Sequence, residues 1–254
     1  MNFLKKIRSC LRYFFLNFFG IDIKFVKKDI FKNIETPEYE SINSLYRSKG
    51  ILHIGAHRGS ERFVYDWLGK EVIWIEANPR IFNELKKNLI EFKYQKAYKA
   101  LLHSEKKDNL DFFLSSNDNA SSSIYDFSRD FKDKKLFFQN RERNISMINK
   151  IKLKAYTLDD LILKNNIDIK KFNHWVIDVQ GAELEVLKGS VKSIKFCNSI
   201  TVEVSTENFY EEGSKFNDVK EFLNKFNFKI TKVPKRNHED VNFIRNESYL
   251  INES

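Results

Sequence analysis

The sequence predicts an α/β fold: an open, mostly parallel sheet with helices on both faces. Three observations carry this. Short apolar runs of strand length alternate with amphipathic stretches of helix length through the middle of the chain. Two of those runs end in a turn or an acid just before a helix start, where parallel sheets place ligands. The 254 residues are 42% hydrophobic and 15% aromatic, with 24 Phe, enough to bury a two-faced sheet.

The chain opens with Phe3, Leu4, Ile7, Leu11, Phe14, Phe15, Phe18 and Phe19 at helical spacing, with Lys5, Lys6, Arg8 and Arg12 between them. The apolar run Tyr13–Phe19 is far shorter than the ~20 residues of a spanning helix. Gly20-Ile21-Asp22 makes a poor signal-peptide cleavage site. Two environments fit residues 1–20. One is an anionic membrane, with the segment lying on it as a basic amphipathic helix. The other is a protein surface, on this domain or on a second copy in a homodimer. A helix over 38–49, ending at Gly50, completes a lead-in of residues 1–49. The domain proper is expected over 50–254, with an insertion at about 115–150.

Within the domain, Ile51–Gly55 reads as a buried strand and Ser60–Leu68 as an amphipathic helix closed by Gly69. Val72–Glu76 is a second strand. Pro79, favoured at a first helical position, opens a helix to about Phe92. Ala97–His103 and Leu110–Leu114 read as strands, Ser115–Ser123 as a polar loop, and 127–150 as a charged, weakly patterned stretch over one face. Ile151–Tyr156 alternates as a strand, and Thr157 caps a helix to Lys164. Then come a buried strand Trp175–Val179, a helix Ala182–Leu187, a strand Ile200–Val204 and a helix Phe216–Phe226. Phe228–Val233 and Asn242–Asn246 form a closing hairpin.

Lys and Arg outnumber Asp and Glu, 44 to 35, for a net charge of +9. That balance suits an anionic partner, such as nucleic acid, acidic lipid or a nucleotide-linked sugar, and equally a merely soluble surface. No compact run of like charges marks a nucleic-acid arm. Cys10 and Cys197 form no Cys-x-x-Cys, so neither a disulfide framework nor a zinc ribbon is supported. A cytoplasmic location is expected, on the inner face of a membrane if residues 1–20 bind lipid.

Two motifs carry chemistry. The first is Ile51-Leu52-His53-Ile54-Gly55-Ala56-His57-Arg58-Gly59, a strand, a glycine turn and a helix start. Glycine lets backbone approach a ligand closely and leaves free amides at the turn. About twenty residues on, Glu76 ends the second strand, where a carboxylate can accept both hydroxyls of a ribose. Gly55, His57 and Ser60 occupy the places of a dinucleotide fingerprint, and two of the three are not glycine. Gly55-x-x-x-Gly59 instead suits a nucleoside without a pyrophosphate. The second motif is Trp175-Val176-Ile177-Asp178-Val179-Gln180-Gly181-Ala182-Glu183-Leu184-Glu185. It is a buried strand ending in an acid, a turn and a helix. Placed beside Ile51–Gly55, its end lies at the topological switch point of the sheet.

With those residues in view, the chain resembles the FkbM-type methyltransferases. The resemblance runs through Ile54–Gly59, Trp74–Pro79, the serine loop Asn119–Ser123, Asp178–Gly189 and Glu203. It implies a Rossmann-like methyltransferase fold with a mostly parallel seven-stranded sheet and an antiparallel C-terminal hairpin. It also implies methyl transfer from S-adenosylmethionine to a hydroxyl, often of a sugar or a polyketide-type metabolite. The cofactor set it implies is His53, Gly55, Ala56, His57, Gly59, Glu76, Ala77, Asn78, Ser122 and Asp178. Many relatives carry an acid where His53 stands. A carboxylate there accepts hydrogen bonds from the cofactor's amine better than imidazole does.

Methyl transfer needs the acceptor oxygen aligned with the methyl and relieved of its proton. Asp178 is the first candidate base by position; holding the cofactor's amine or capping the next helix are its other readings. Glu203, a charge inside an apolar strand, is the second, since such a charge needs a partner or a role. Gln180 and Glu183 can reach substrate or cofactor from the turn, and Glu183 can equally serve the helix dipole. His57 and His103 are further candidate bases, or plain polar loop residues. No metal is required. The rival readings are an RNA 2′-O-methyltransferase, for which matching lysines are not found, and a non-catalytic cofactor-binding module, which only His53 favours.

Overall fold

The computed structural model describes residues 40–134 and 145–246. The expected amphipathic segment 1–20 and residues 135–144 of the expected insertion lie outside them. The chain divides into a unit of residues 1–43 and a unit of residues 44–254, and the sheet belongs to the second.

A helix α1 (Glu40–Arg47) leads to β1 (Gly50–Ile54), α2 (Arg62–Trp67), β2 (Glu71–Glu76), α3 (Pro79–Asn88), β3 (Gln95–Lys99) and β4 (Leu101–Leu102). Next come β5 (Lys107–Ser115), α4 (Arg129–Lys134), β6 (Met147–Tyr156), α5 (Leu158–Lys164) and β7 (His174–Ile177). The chain continues through α6 (Glu183–Lys188), β8 (Ser199–Ser205), α7 (Phe216–Lys225), β9 (Phe228–Ile230) and β10 (His238–Arg245). The main sheet has seven strands in the order β3-β2-β1-β7-β8-β10-β9. Its first five strands are parallel, and β10 runs antiparallel to both β8 and β9. The order reverses between β1 and β7, which pair from Ile51↔His174 to Ile54↔Ile177.

Both faces of this sheet are covered, so its central strands are apolar throughout rather than alternating. Every residue of β1 is buried, and Trp74 and Trp175 have no exposed surface. Leu52, Ile54, Trp175, Ile177, Ile200 and Val202 join Leu223, Phe228 and Phe243 in one core.

Four elements depart from the sequence reading. The single strand expected over Ala97–His103 is two. Ala100 donates its N–H to the Glu76 carbonyl (3.1 Å), and the chain then leaves the main sheet. Leu101–Leu102 joins a second sheet, order β4-β6-β5. There β5 and β6 outrun their expected lengths, because their outer faces pair charges rather than apolar groups. Lys150 and Lys152 reach Asp111 (3.1 and 2.5 Å), and Lys154 reaches Asp108 (2.7 Å). Helix α3 stops at Asn88, short of the expected Phe92. The insertion is less featureless than its charge implied: Phe127 and Phe131 stack at 4.5 Å and pack with Phe209 and Tyr210.

Candidate active site

The turns after β1, β2 and β7 are stitched together. Gly55 and Ala56 donate their N–H groups to the Ile75 carbonyl (3.0 Å each), and Asp178 donates its own to the Ile54 carbonyl (2.9 Å). Gly55 has φ +84°, and a Cβ there would stand 1.6 Å from the Asp178 carbonyl oxygen. The glycine is what allows the two turns to touch.

Glu76 ends β2 and is buried, 8% exposed. One carboxylate oxygen accepts from the His57 N–H (2.8 Å) and the other from the Asn78 N–H (2.7 Å). Ala77 is the spacer that brings Asn78 round, and Asn78 caps α3 by accepting from the Arg80 and Ile81 amides. Burial pushes the Glu76 carboxyl up to about 7, with those amides opposing the rise. A carboxylate offers about four lone-pair sites, so two amides leave room for hydroxyl donors. A buried acceptor with lone pairs to spare beside the glycine turn of β1 fits the ribose of a nucleoside cofactor.

The serine loop is tied to this same place. Asp118, at its apex with φ +61°, accepts from Arg58 (2.9 and 2.6 Å) and from Arg80 (3.0 Å). His57 Nε2 lies 3.1 Å from the Asp118 carbonyl oxygen. The residues bracketing Glu76 in space therefore hold the loop as well. Ser122 stays inside the loop, its hydroxyl accepting from the Ser115 N–H (3.1 Å). Gly59, φ +67°, turns the chain into α2 against Leu85 of α3.

His53 faces an aromatic pocket. It stacks on Trp74 at 4.8 Å, its Nδ1 is 3.1 Å from the Tyr65 hydroxyl, and it is 6% exposed. Burial, helped by His174, lowers its pKa to about 3, so the ring is neutral.

Asp178 and Glu203 are brought together. Their carboxyls lie close enough for Glu203 to raise the proton affinity of Asp178. The Gln180 side-chain amide also donates to both, at 2.6 and 2.5 Å. Burial first, and the neighbouring Glu203 second, hold Asp178 well above the usual carboxylate range. Burial also pushes Glu203 up to about 8. Two acids this close titrate as a pair and keep a proton between them. The far oxygen of Glu203 is 2.8 Å from His238 Nε2, and His238 Nδ1 is 2.7 Å from the Ser205 hydroxyl. Asp240 stands opposite Glu203 in the β8–β10 register. Burial pushes Glu61 up to about 7, with Asp178 adding to it.

Gln180 is held for its task on every side. It adopts φ +58°, its side-chain oxygen accepts from Tyr210 (2.6 Å), and its carbonyl accepts from Ser123 (2.7 Å). Glu183 serves the turn instead: one oxygen accepts from the Val179 and Gly181 amides (3.2 and 3.0 Å) and the other from Ser214 (3.3 Å). His103 pairs with Glu185 at 3.5 Å, apart from the acid pair. Tyr210, His238, Asp240 and Glu61 were not singled out in the sequence. Glu61 alone carried a local signal, two residues after Gly59.

A glycine turn and a strand-end acid suited to a nucleoside meet a carboxylate pair at the switch point of a Rossmann-like sheet. A model of the methyltransferase FkbM domain matches residues 53–230, well over half of the chain, which belongs to this S-adenosylmethionine-dependent family. No curated protein matches the sequence. Solved structures similar to it include the human methyltransferase 10 domain containing protein. That likeness has 12% identity and a TM-score of 0.43, covering 96% of this chain and 98% of that one. Precorrin-6y C5,15-methyltransferase from Geobacter metallireducens matches at 10% identity and a TM-score of 0.43, covering 88% and 94%. Magnesium protoporphyrin IX methyltransferase from Synechocystis, solved with bound SAM, matches at 10% and 0.41, covering 94% and 97%. The fold assignment rests on the strand order itself.

Proposed function

We propose that the protein is an O-methyltransferase acting on a hydroxyl of a sugar, glycan or related metabolite. The observation that carries this is the Asp178–Gln180–Glu203 cluster, set at the end of β7 against the glycine turn of β1. S-adenosylmethionine supplies an electrophilic methyl on a sulfonium centre; Gly55, Ala56, His57, Gly59 and Glu76 are the residues to hold it. An alcohol attacking that methyl is a weak nucleophile, and a carboxylate whose proton affinity is raised toward neutrality accepts its proton best. Asp178 takes that role. Gln180 holds the pair in line, and the far oxygen of Glu203 rests against His238 Nε2 at 2.8 Å. The acids Asp178, Glu203, Asp240 and Glu61 clustered at this end of the sheet disfavour a phosphate-rich acceptor, which speaks against the RNA reading.

A panel of sugars, nucleotide sugars and cell glycans with labelled cofactor tests this. Asp178→Asn is expected to cut turnover by about 10²–10⁴ with cofactor affinity retained. Loss of affinity with turnover intact at saturation would make Asp178 a cofactor ligand. Parent values for both would move the base to Glu203.

A further inference from the structure

The end of the sheet opposite the carboxylate cluster has the reverse character. In the five residues before each parallel strand start stand Arg47, Lys49, Lys70, Lys93, Lys170, Lys171 and Lys195, against the acids Asp66 and Glu91, with Glu71 opening β2. The strand order β3-β2-β1-β7-β8 sets these cations side by side along one rim. At about 4.8 Å per strand the rim spans roughly 20 Å. Lys49, Lys93, Lys170, Lys171 and Lys195 are exposed. Among the described residues, none of the five has an acid within salt-bridge distance. The lysines of the second sheet, by contrast, are paired with Asp108 and Asp111.

The rim cations lie over aromatic rings instead. Lys93 is 5.5 Å from the centre of Tyr94, and Lys170 and Lys195 are 5.6 and 5.1 Å from that of Phe196. Beside them Trp67, Tyr94 and Ile90 are 59%, 60% and 80% exposed. Unpaired ammonium groups interleaved with exposed Trp, Tyr and Ile match the bilayer boundary, where anionic headgroups meet buried acyl chains.

We propose that this strand-start rim docks on an anionic phospholipid bilayer. The carboxylate cluster, at the strand ends, then faces away from the lipid and takes its acceptor from the aqueous side. Residues 1–20 carry the same mixture of basic and aromatic residues in sequence, and the chain enters β1 through Arg47 and Lys49 on this rim. The surface is a property of the folded domain and does not depend on the acceptor.

The test is flotation of the full chain with vesicles of equal parts phosphatidylglycerol and phosphatidylcholine, against pure phosphatidylcholine. The parent is expected to float with the anionic vesicles only and to be released by salt. A variant with Lys93→Glu, Lys170→Glu, Lys171→Glu and Lys195→Glu keeps residues 1–20 intact and should bind at least about tenfold more weakly. Trp67→Ser with Tyr94→Ser should weaken binding several-fold. Unchanged flotation of both variants would overturn the proposal. So would a loss of affinity for single-stranded RNA, or of dimer in sedimentation, without loss of vesicle binding. Should the fourfold charge reversal fail to fold, Lys93→Gln with Lys195→Gln gives the same readout.

Discussion

Replacing Glu203 by Gln should flatten the protein's dependence on pH. Glu203 stands at about 8 in the folded protein against an ordinary value of 4.5, chiefly because burial penalises its charge. The sign follows from proton count. Between those values the folded protein holds a proton that the unfolded chain has released. The stabilisation is therefore complete below about 4.5 and is lost as pH rises through about 8, at about 1.4 kcal/mol per pH unit. From about pH 5.5 to about pH 7.5 the loss is roughly 2.7 kcal/mol, and near 200 residues that lowers the melting temperature by roughly 5–10 °C. Gln at this position can still accept from Gln180 and donate to His238, so both contacts survive. Glu61, Glu76 and Glu183 are pushed upward as well, so the parent should fall further still. The difference between parent and variant isolates the Asp178–Glu203 pair from the other acids. Differential scanning calorimetry across that pH range measures it. Equal losses in parent and variant, or a parent that gains stability with rising pH, would refute the reasoning.

Glu76→Ala should weaken S-adenosylmethionine binding by about 1.5–3 kcal/mol, the scale of a charged hydrogen-bond partner, and titration calorimetry reads this directly. Asp118→Ala frees Arg58 and Arg80 from the serine loop. It should cost at most about 1 kcal/mol of stability, since the pairs are largely exposed. Cofactor release should quicken several-fold in stopped flow. Gly55→Ala forces both the left-handed backbone and the Asp178 carbonyl to yield. It should destabilise by more than about 3 kcal/mol, seen as a lower urea midpoint, and an unmoved midpoint would contradict the contact.

The strands that line the site were legible because burial on both faces makes them continuous apolar runs. Ile51–Ile54, Val72–Ile75 and Trp175–Ile177 each stood out without any partner being known. The acids ending the second and third runs, Glu76 and Asp178, were legible for the same reason, each being the first charge after an apolar stretch. Legibility failed where side chains meet across long stretches of sequence. Nothing local ties His238 to Glu203, 35 positions earlier; the contact follows from β10 inserting between β8 and β9. Tyr210 reads as one aromatic in a loop until Gln180 comes beneath it. The second sheet was understated because β5 and β6 carry cross-strand ion pairs outward, so their strand character is written partly in charge. His53 departs from the family's usual acid, and the aromatic stack with Trp74 and Tyr65 is the neighbourhood that accepts a neutral ring.

The position of β10 has a consequence for how the chain is made. Among the described residues it is the last strand in chain order, yet it sits inside the sheet, and β9 pairs with nothing else in that sheet. Until residues 238–245 emerge, β8 presents a bare edge of unpaired amides and carbonyls, the kind of surface on which nascent chains stick to one another. The same eight residues bring His238 and Asp240 to Glu203. A growing chain therefore assembles this carboxylate cluster in the step that closes its most hazardous edge, and a chain interrupted before that step lacks the cluster and is conspicuous to chaperones.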